Sequence, residues 1–84
     1  MDNSVPDDVK NIIGNKKLKE VSIKLKYKNW RGEVGEREII PISIYFGETD
    51  FHKEKQWLMK VYDLDKKDYR DYALKDIEEW VKFP

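Results

Sequence analysis

The chain has 84 residues, 40% of them charged and 13% aromatic, with no cysteine and a formal net charge of zero at pH 7. That length allows a single domain, and a domain this small buries only about 60 to 65% of its unfolded surface, so its core must be compact. The missing cysteine excludes disulfides, thiolate metal sites and a cysteine nucleophile, and it fits a reducing cytoplasm.

The neutral sum conceals segregation. Residues 1–9 carry three acids and no base, residues 10–37 carry nine bases against three acids, and residues 38–84 carry eight bases against eleven acids. No global field draws nucleic acid to the chain, but the basic first third can make a local patch. No apolar run approaches the roughly 18 residues of a membrane span, so no membrane partner is expected. The polar, acidic start is unlike a signal peptide.

Ser4-Val5-Pro6-Asp7 opens a short helix over about residues 5–13. Ser4 is placed to cap it, Pro6 suits its first turn, and Val9, Ile12 and Ile13 share one face. Gly14 ends it. Two turns of helix are not stable alone and must dock. In Lys19–Lys28, Val21, Ile23, Leu25 and Tyr27 alternate with Ser22, Lys24, Lys26 and Lys28, a strand with one apolar and one lysine face. Asn29–Gly32 is a turn. Arg37–Phe46 is β-branched and alternating, and Pro41 within it marks an edge, a bulge or a bend. A polar loop, Gly47–Lys55, leads to the strand Gln56–Asp63. A turn over Asp63–Asp68, a strand over Tyr69–Leu74, a helical turn near Asp76–Glu79 and a last strand over Trp80–Phe83 complete the chain.

One helix followed by four or five short strands predicts a mainly β (α+β) domain. Its centre would be a strongly bent antiparallel sheet or barrel over about residues 19–83, with the helix covering one end.

Several segments also resemble the WYL domain. They are Ile23 with Tyr27, then Gly32, then Arg37 with Pro41, the triplet Trp57-Leu58-Met59 with Tyr62-Asp63, and Arg70-Asp71-Tyr72-Ala73-Leu74-Lys75-Asp76-Ile77. The resemblance covers about residues 21–78. Asn29–Glu33, Phe46–Thr49, His52 and Gln56–Leu58 are similar to very short stand-alone WYL-type proteins of bacteria and phages. The resemblance implies an SH3-like or Sm-like barrel of about five strands. It also implies a module that senses nucleotides or nucleic acid through a basic pocket, as in transcription regulators and phage-defence proteins. Tyr27, Arg37, Trp57 and Arg70 fall on the family pattern. Leu58 stands where the family has Tyr, and Ala73 and Asp76 stand where members often carry bases, so the implied pocket is less basic than usual.

Each candidate has a plainer reading beside it. Arg37 and Arg70 suit phosphate or carboxylate through a planar fork of fixed charge, or each pairs with a local acid such as Glu38 or Asp71. Trp57 and Tyr27 shape a pocket or simply fill the core. Trp30, set between Lys28 and Arg31, is a base-stacking platform or a lid over the barrel end. The stripe Lys24, Lys26, Lys28 follows a phosphate backbone or guards an exposed strand. His52 has no nucleophile or metal motif beside it and reads as part of a structured loop. Asp63, Asp65 and Asp68 lack the remaining positions of a calcium loop.

No catalytic motif, cofactor motif or metal site is legible. The resemblance to the WYL domain then implies a non-enzymatic module that binds a ligand, nucleotide or single-stranded nucleic acid. The alternative is a protein-interaction module acting on a bacterial or phage partner. The sequence does not set the oligomeric state.

Overall fold

The computed structural model describes residues 5–82. Helix α1 spans Asp7–Ile13 and a single turn, α2, spans Leu18–Val21. Strands follow at Ile23–Lys28 (β1), Val34–Gly47 (β2), Gln56–Asp63 (β3) and Asp68–Ala73 (β4). A 3₁₀ turn, Leu74–Asp76, precedes β5 at Ile77–Lys82. All pairings are antiparallel, in the order β4-β3-β2-β1-β5.

Alternation within the strands builds two apolar layers. Ile23, Leu25 and Tyr27 of β1 meet Ile39 of β2, Met59 and Val61 of β3, and Tyr72 of β4, with Leu74 and Ile77 packed against them. The intervening residues point to the other face. There Ile40 and Tyr62 are covered by Val5, Val9 and Ile13. β3 is therefore apolar on both faces, because one side meets the core and the other meets α1. This docking stabilises a seven-residue helix that could not persist alone.

The Tyr27 and Tyr72 rings measure how far the sheet bends. β1 and β4 are three strand spacings apart in the sheet, about 14 Å if it were flat. Yet the two rings stack with centroids 4.2 Å apart and planes 19° from parallel. The Tyr27 hydroxyl also accepts the Ala73 N–H at 3.0 Å. The sheet must curl until its first and fourth strands face each other. Pro41 contributes to the curl. It pairs with Val61, and the register shifts between Pro41 and Ser43, so β2 is one bulged strand that serves both halves of the sheet. The β1 ladder ends at Ile39, so the proline's missing N–H costs no bond on that side.

Ring closure by hydrogen bonds is not seen. β4 and β5 stand at the two ends of the sheet, and no ladder joins them among the described residues. After Ala73 the 3₁₀ turn carries the chain around the core, and β5 joins β1 instead of lying beside β4. The Tyr27 bridge to Ala73 does across the core what a closing ladder would do at the edge.

Several local expectations need correction. The cap assigned to Ser4 and the end of the last strand at Phe83 lie outside the described residues. The helix begins at Asp7 after an extended Pro6. Ile12 is half-exposed while Val5 is buried, because the docking face runs through Val5, Val9 and Ile13. Residues 19–21 are helical, and β1 starts only at Ile23. The turn placed near Asp76–Glu79 lies earlier, at Leu74–Asp76, which frees Ile77–Lys82 to pair with β1.

Candidate functional site

The concave face is filled by core residues over most of its length and opens at one end. Leu25 pairs with Arg37 and Tyr27 with Gly35, so Arg37 lies on the core side of β2, one residue pair beyond Ile39. Val61 pairs with Arg70, which puts Arg70 on the same side of β4, next to Tyr72. A cavity of about 630 Å³ forms there. Tyr27, Arg37, Tyr72 and Arg70 line it, with Asp63 and Lys66 from the β3–β4 end and Trp30, Thr49 and Phe51 from two loops.

Arg37 is half-buried and makes no ion pair among the described residues. Its Nη1 donates to the Glu36 carbonyl oxygen at 3.2 Å. The guanidinium folds back beneath Gly35, where a Cβ would collide with Nη1. A glycine at 35 is thus what leaves room for this cation. Its charge acts on both tyrosines of the stack, favouring the ionised form of each against the larger effect of burial. The Glu38 carboxylate, the acid expected to neutralise Arg37, instead accepts the Ser22 hydroxyl at 3.1 Å.

Arg70 is held differently. Its Nη1 donates to Asp68 Oδ2 at 2.9 Å and to the Tyr69 carbonyl at 2.8 Å. Asp71, the expected partner, accepts the Tyr45 hydroxyl on the opposite face. The Arg70 guanidinium, together with the Tyr69 N–H, holds the Asp68 carboxyl below the usual range. Because this pair is exposed, it contributes little to stability and is open to competition from another anion.

Asp63 is fully buried at the back of the cavity. Its Oδ1 accepts the N–H groups of Asp65 and Lys66, and its Oδ2 accepts the Tyr72 hydroxyl at 3.2 Å. Burial first, and then the Asp63 charge, push the Tyr72 hydroxyl well above its ordinary pKa. Asp63 therefore closes the β3–β4 turn and fixes the Tyr72 ring that stacks on Tyr27.

Two loops meet at the mouth. In the β1–β2 turn, Asn29 Oδ1 accepts the N–H groups of Arg31 and Glu33. Gly32 takes φ +81°, which its missing side chain permits. Trp30 is thrust outward, 87% exposed, with the Arg31 guanidinium 4.9 Å from its ring centre. In the β2–β3 loop, Thr49 and His52 exchange backbone hydrogen bonds, and the Thr49 hydroxyl lies 3.2 Å from His52 Nδ1. This rigid turn presents Phe51, 92% exposed. A second cavity of about 380 Å³ shares Tyr27, Trp30, Phe51 and His52 with the first and adds Lys28, Lys53 and Lys75. Gln56 also lines it, with Nε2 donating to the Glu54 carbonyl and Oε1 buried without a hydrogen-bond partner among the described residues.

Of the five residues singled out in the sequence, Tyr27, Trp30, Arg37 and Arg70 converge on the larger cavity. Trp57 lines neither cavity. It is 56% exposed and meets Phe46 edge-on at 5.4 Å. The β3–β4 ladder stops at Leu58, so nothing covers the next residue. Trp57 is neither core nor pocket wall. Trp30 stands out from the domain and does not fold back as a lid. The lysine stripe is largely neutralised, since Lys24 pairs with Glu36 at 3.9 Å and Lys26 with Glu79 at 3.5 Å. Only Lys28 of the three reaches a cavity.

Sequence reading missed Asp63, Lys66, Phe51 and Tyr72 as wall residues. The signal for Tyr72 was its place two residues from Arg70 in a strand, which sets both on one face. Among the described residues no cluster of His, Asp and Glu could hold a metal ion, and no helix is long and apolar enough to cross a membrane. Comparison with known proteins finds no matching family model, no matching curated protein and no matching solved structure.

Proposed function

We propose that this domain is a non-enzymatic, cytoplasmic sensor of WYL type that binds a nucleotide or single-stranded nucleic acid in the cavity between Arg37 and Arg70. The bent five-stranded sheet, with its core on the concave face, supports reading it as an SH3-like or Sm-like barrel. One observation carries the functional reading: Arg37, Lys66 and Arg70 border the same cavity as two solvent-exposed rings, Trp30 and Phe51. Cations for phosphate beside free aromatic faces for bases are the two elements of single-strand recognition. Arg37 is the principal phosphate ligand, since no acid holds it. Arg70 joins when phosphate displaces Asp68.

The test is an amide-shift NMR titration with mononucleotides and short single-stranded DNA and RNA at low and high salt. Saturable shifts are expected around Trp30, Arg37, Phe51 and Arg70. Affinity should fall as salt rises. Arg37→Ala should weaken binding about ten-fold or more, the scale of a lost charge-assisted hydrogen bond. A flat titration at millimolar nucleotide overturns the reading.

A second reading, a protein-docking module, is favoured by Ile44, Phe46 and Trp57, each more than half exposed on neighbouring positions of β2 and β3. It predicts that Phe46→Ala and Trp57→Ala abolish partner binding while nucleotides have no effect.

A further inference from the structure

We propose that the smaller cavity is a second subsite continuous with the arginine cavity, and that the ligand spanning both is a strand of at least two nucleotides, not a free mononucleotide. This rests on the nucleotide reading above.

The two cavities share the walls Tyr27, Trp30, Phe51 and His52, so a ligand can pass from one to the other without leaving the surface. Each has its own cations. Arg37, Lys66 and Arg70 border the larger cavity, and Lys28, Lys53 and Lys75 border the smaller. Among the described residues none of these three lysines forms an ion pair, whereas Lys24 and Lys26 nearby on β1 both do. Most other lysines among the described residues are unpaired too, so what marks these three is their place at the cavity wall. Glu54 and Asp76 also border it, so the positive excess there is small.

Of the aromatic rings that border the cavities, two are almost fully exposed, Trp30 and Phe51, and each is braced by its own turn. Trp30 sits on a turn locked by Asn29, and Phe51 sits on a turn locked by Thr49 and His52. Neither ring is part of the core. A mononucleotide offers one base for two exposed rings that border both cavities. Two successive bases use both, and each stacked base is worth about 5- to 150-fold in affinity. The backbone between the bases then passes the shared wall, with phosphates reaching the two sets of cations.

The experiment is calorimetric titration of the whole chain with single-stranded deoxythymidylate of one, two and four nucleotides, which cannot pair with itself. The dinucleotide is expected to bind at least ten-fold more tightly than the mononucleotide, with a steeper salt dependence and a smaller further gain at four. The double variant Lys53→Ala/Lys75→Ala, altered at two exposed positions, is expected to lower dinucleotide affinity several-fold more than mononucleotide affinity. Arg37→Ala should weaken both. Mononucleotide binding with no gain from a second nucleotide overturns this proposal alone, as does an equal loss for both ligands in the lysine variant. No binding at any length overturns the nucleotide reading as well.

Discussion

Tyr27→Phe isolates the bond that fastens the first strand across the core. The substitution keeps the ring, its 4.2 Å stack on Tyr72 and nearly all the buried apolar area. It removes one oxygen, the acceptor for the Ala73 N–H at 3.0 Å. Ala73 is fully buried, and water cannot replace that oxygen without entering the core. An orphaned buried donor costs about 1 to 3 kcal/mol. In a domain of this size each kcal/mol lowers Tm by about 4 to 8 °C, so a central value of about 2 kcal/mol lowers it by about 8 to 16 °C. Urea denaturation followed by tryptophan fluorescence measures the loss directly, and an unchanged slope confirms that the folded state is equally compact. Tyr45→Phe is the control. Its hydroxyl donates to Asp71 in a partly exposed setting, and its loss should cost about 0.5 to 1 kcal/mol. If Tyr27→Phe is as stable as the parent, or no worse than Tyr45→Phe, the bridge does not hold the curled sheet together.

Alkaline pH should unfold the domain in a tyrosine-dependent way. Burial raises Tyr27 and Tyr72 above the ordinary value of 10.0, and the hydrogen bond to Asp8 raises Tyr69 to about 12. The unfolded chain therefore gives up these protons first, so their stabilisation is complete below pH 10 and is lost as pH climbs through the raised values. Spectrophotometric titration should show some tyrosines ionising only with unfolding, and five tyrosines titrating freely near pH 10 would refute this. Asp68→Asn releases Arg70 from its 2.9 Å partner and should tighten mononucleotide binding up to about five-fold, the scale of an exposed ion pair. Weaker binding would mean that Asp68 orients Arg70 for the ligand. Gly35→Ala puts a methyl group where Arg37 Nη1 lies. The guanidinium is the end of a flexible chain, so stability should change by less than about 1 kcal/mol. Nucleotide affinity should nevertheless fall as in Arg37→Ala, and retained affinity would show that Arg37 binds from another rotamer.

Composition and alternation carried much of the fold. The lysine and apolar faces of Ile23–Lys28, the β-branched run through Pro41 and the strand at Gln56–Asp63 all pair as strands. Residues 19–21, read as the start of a strand, show the limit, because a run this short does not say whether it begins the strand or, as in Leu18–Val21, forms a helical turn. The site was legible in part. Alternation puts Arg37 on the same side of β2 as Ile39, and Arg70 on the same side of β4 as Tyr72, but no local pattern brings two strands with β3 between them to a common mouth. Trp57 misled for the same reason. Its side of β3 is the core side, but only the register shows that β4 ends one residue short of covering it.

The sequence by itself determined a cysteine-free, mainly β chain with a short helix ahead of its strands, because periodicity of two and turn residues act over a few neighbours. It also determined which residues can bear a fixed positive charge or a free ring. Only the tertiary structure decided which of them meet. The curl that stacks Tyr27 on Tyr72 draws Arg37 and Arg70 to one cavity, while Asp68 holds Arg70 and Glu36 and Glu79 take up Lys24 and Lys26. Those pairings depend on strand order, register and bend, which arise from contacts between residues tens of positions apart.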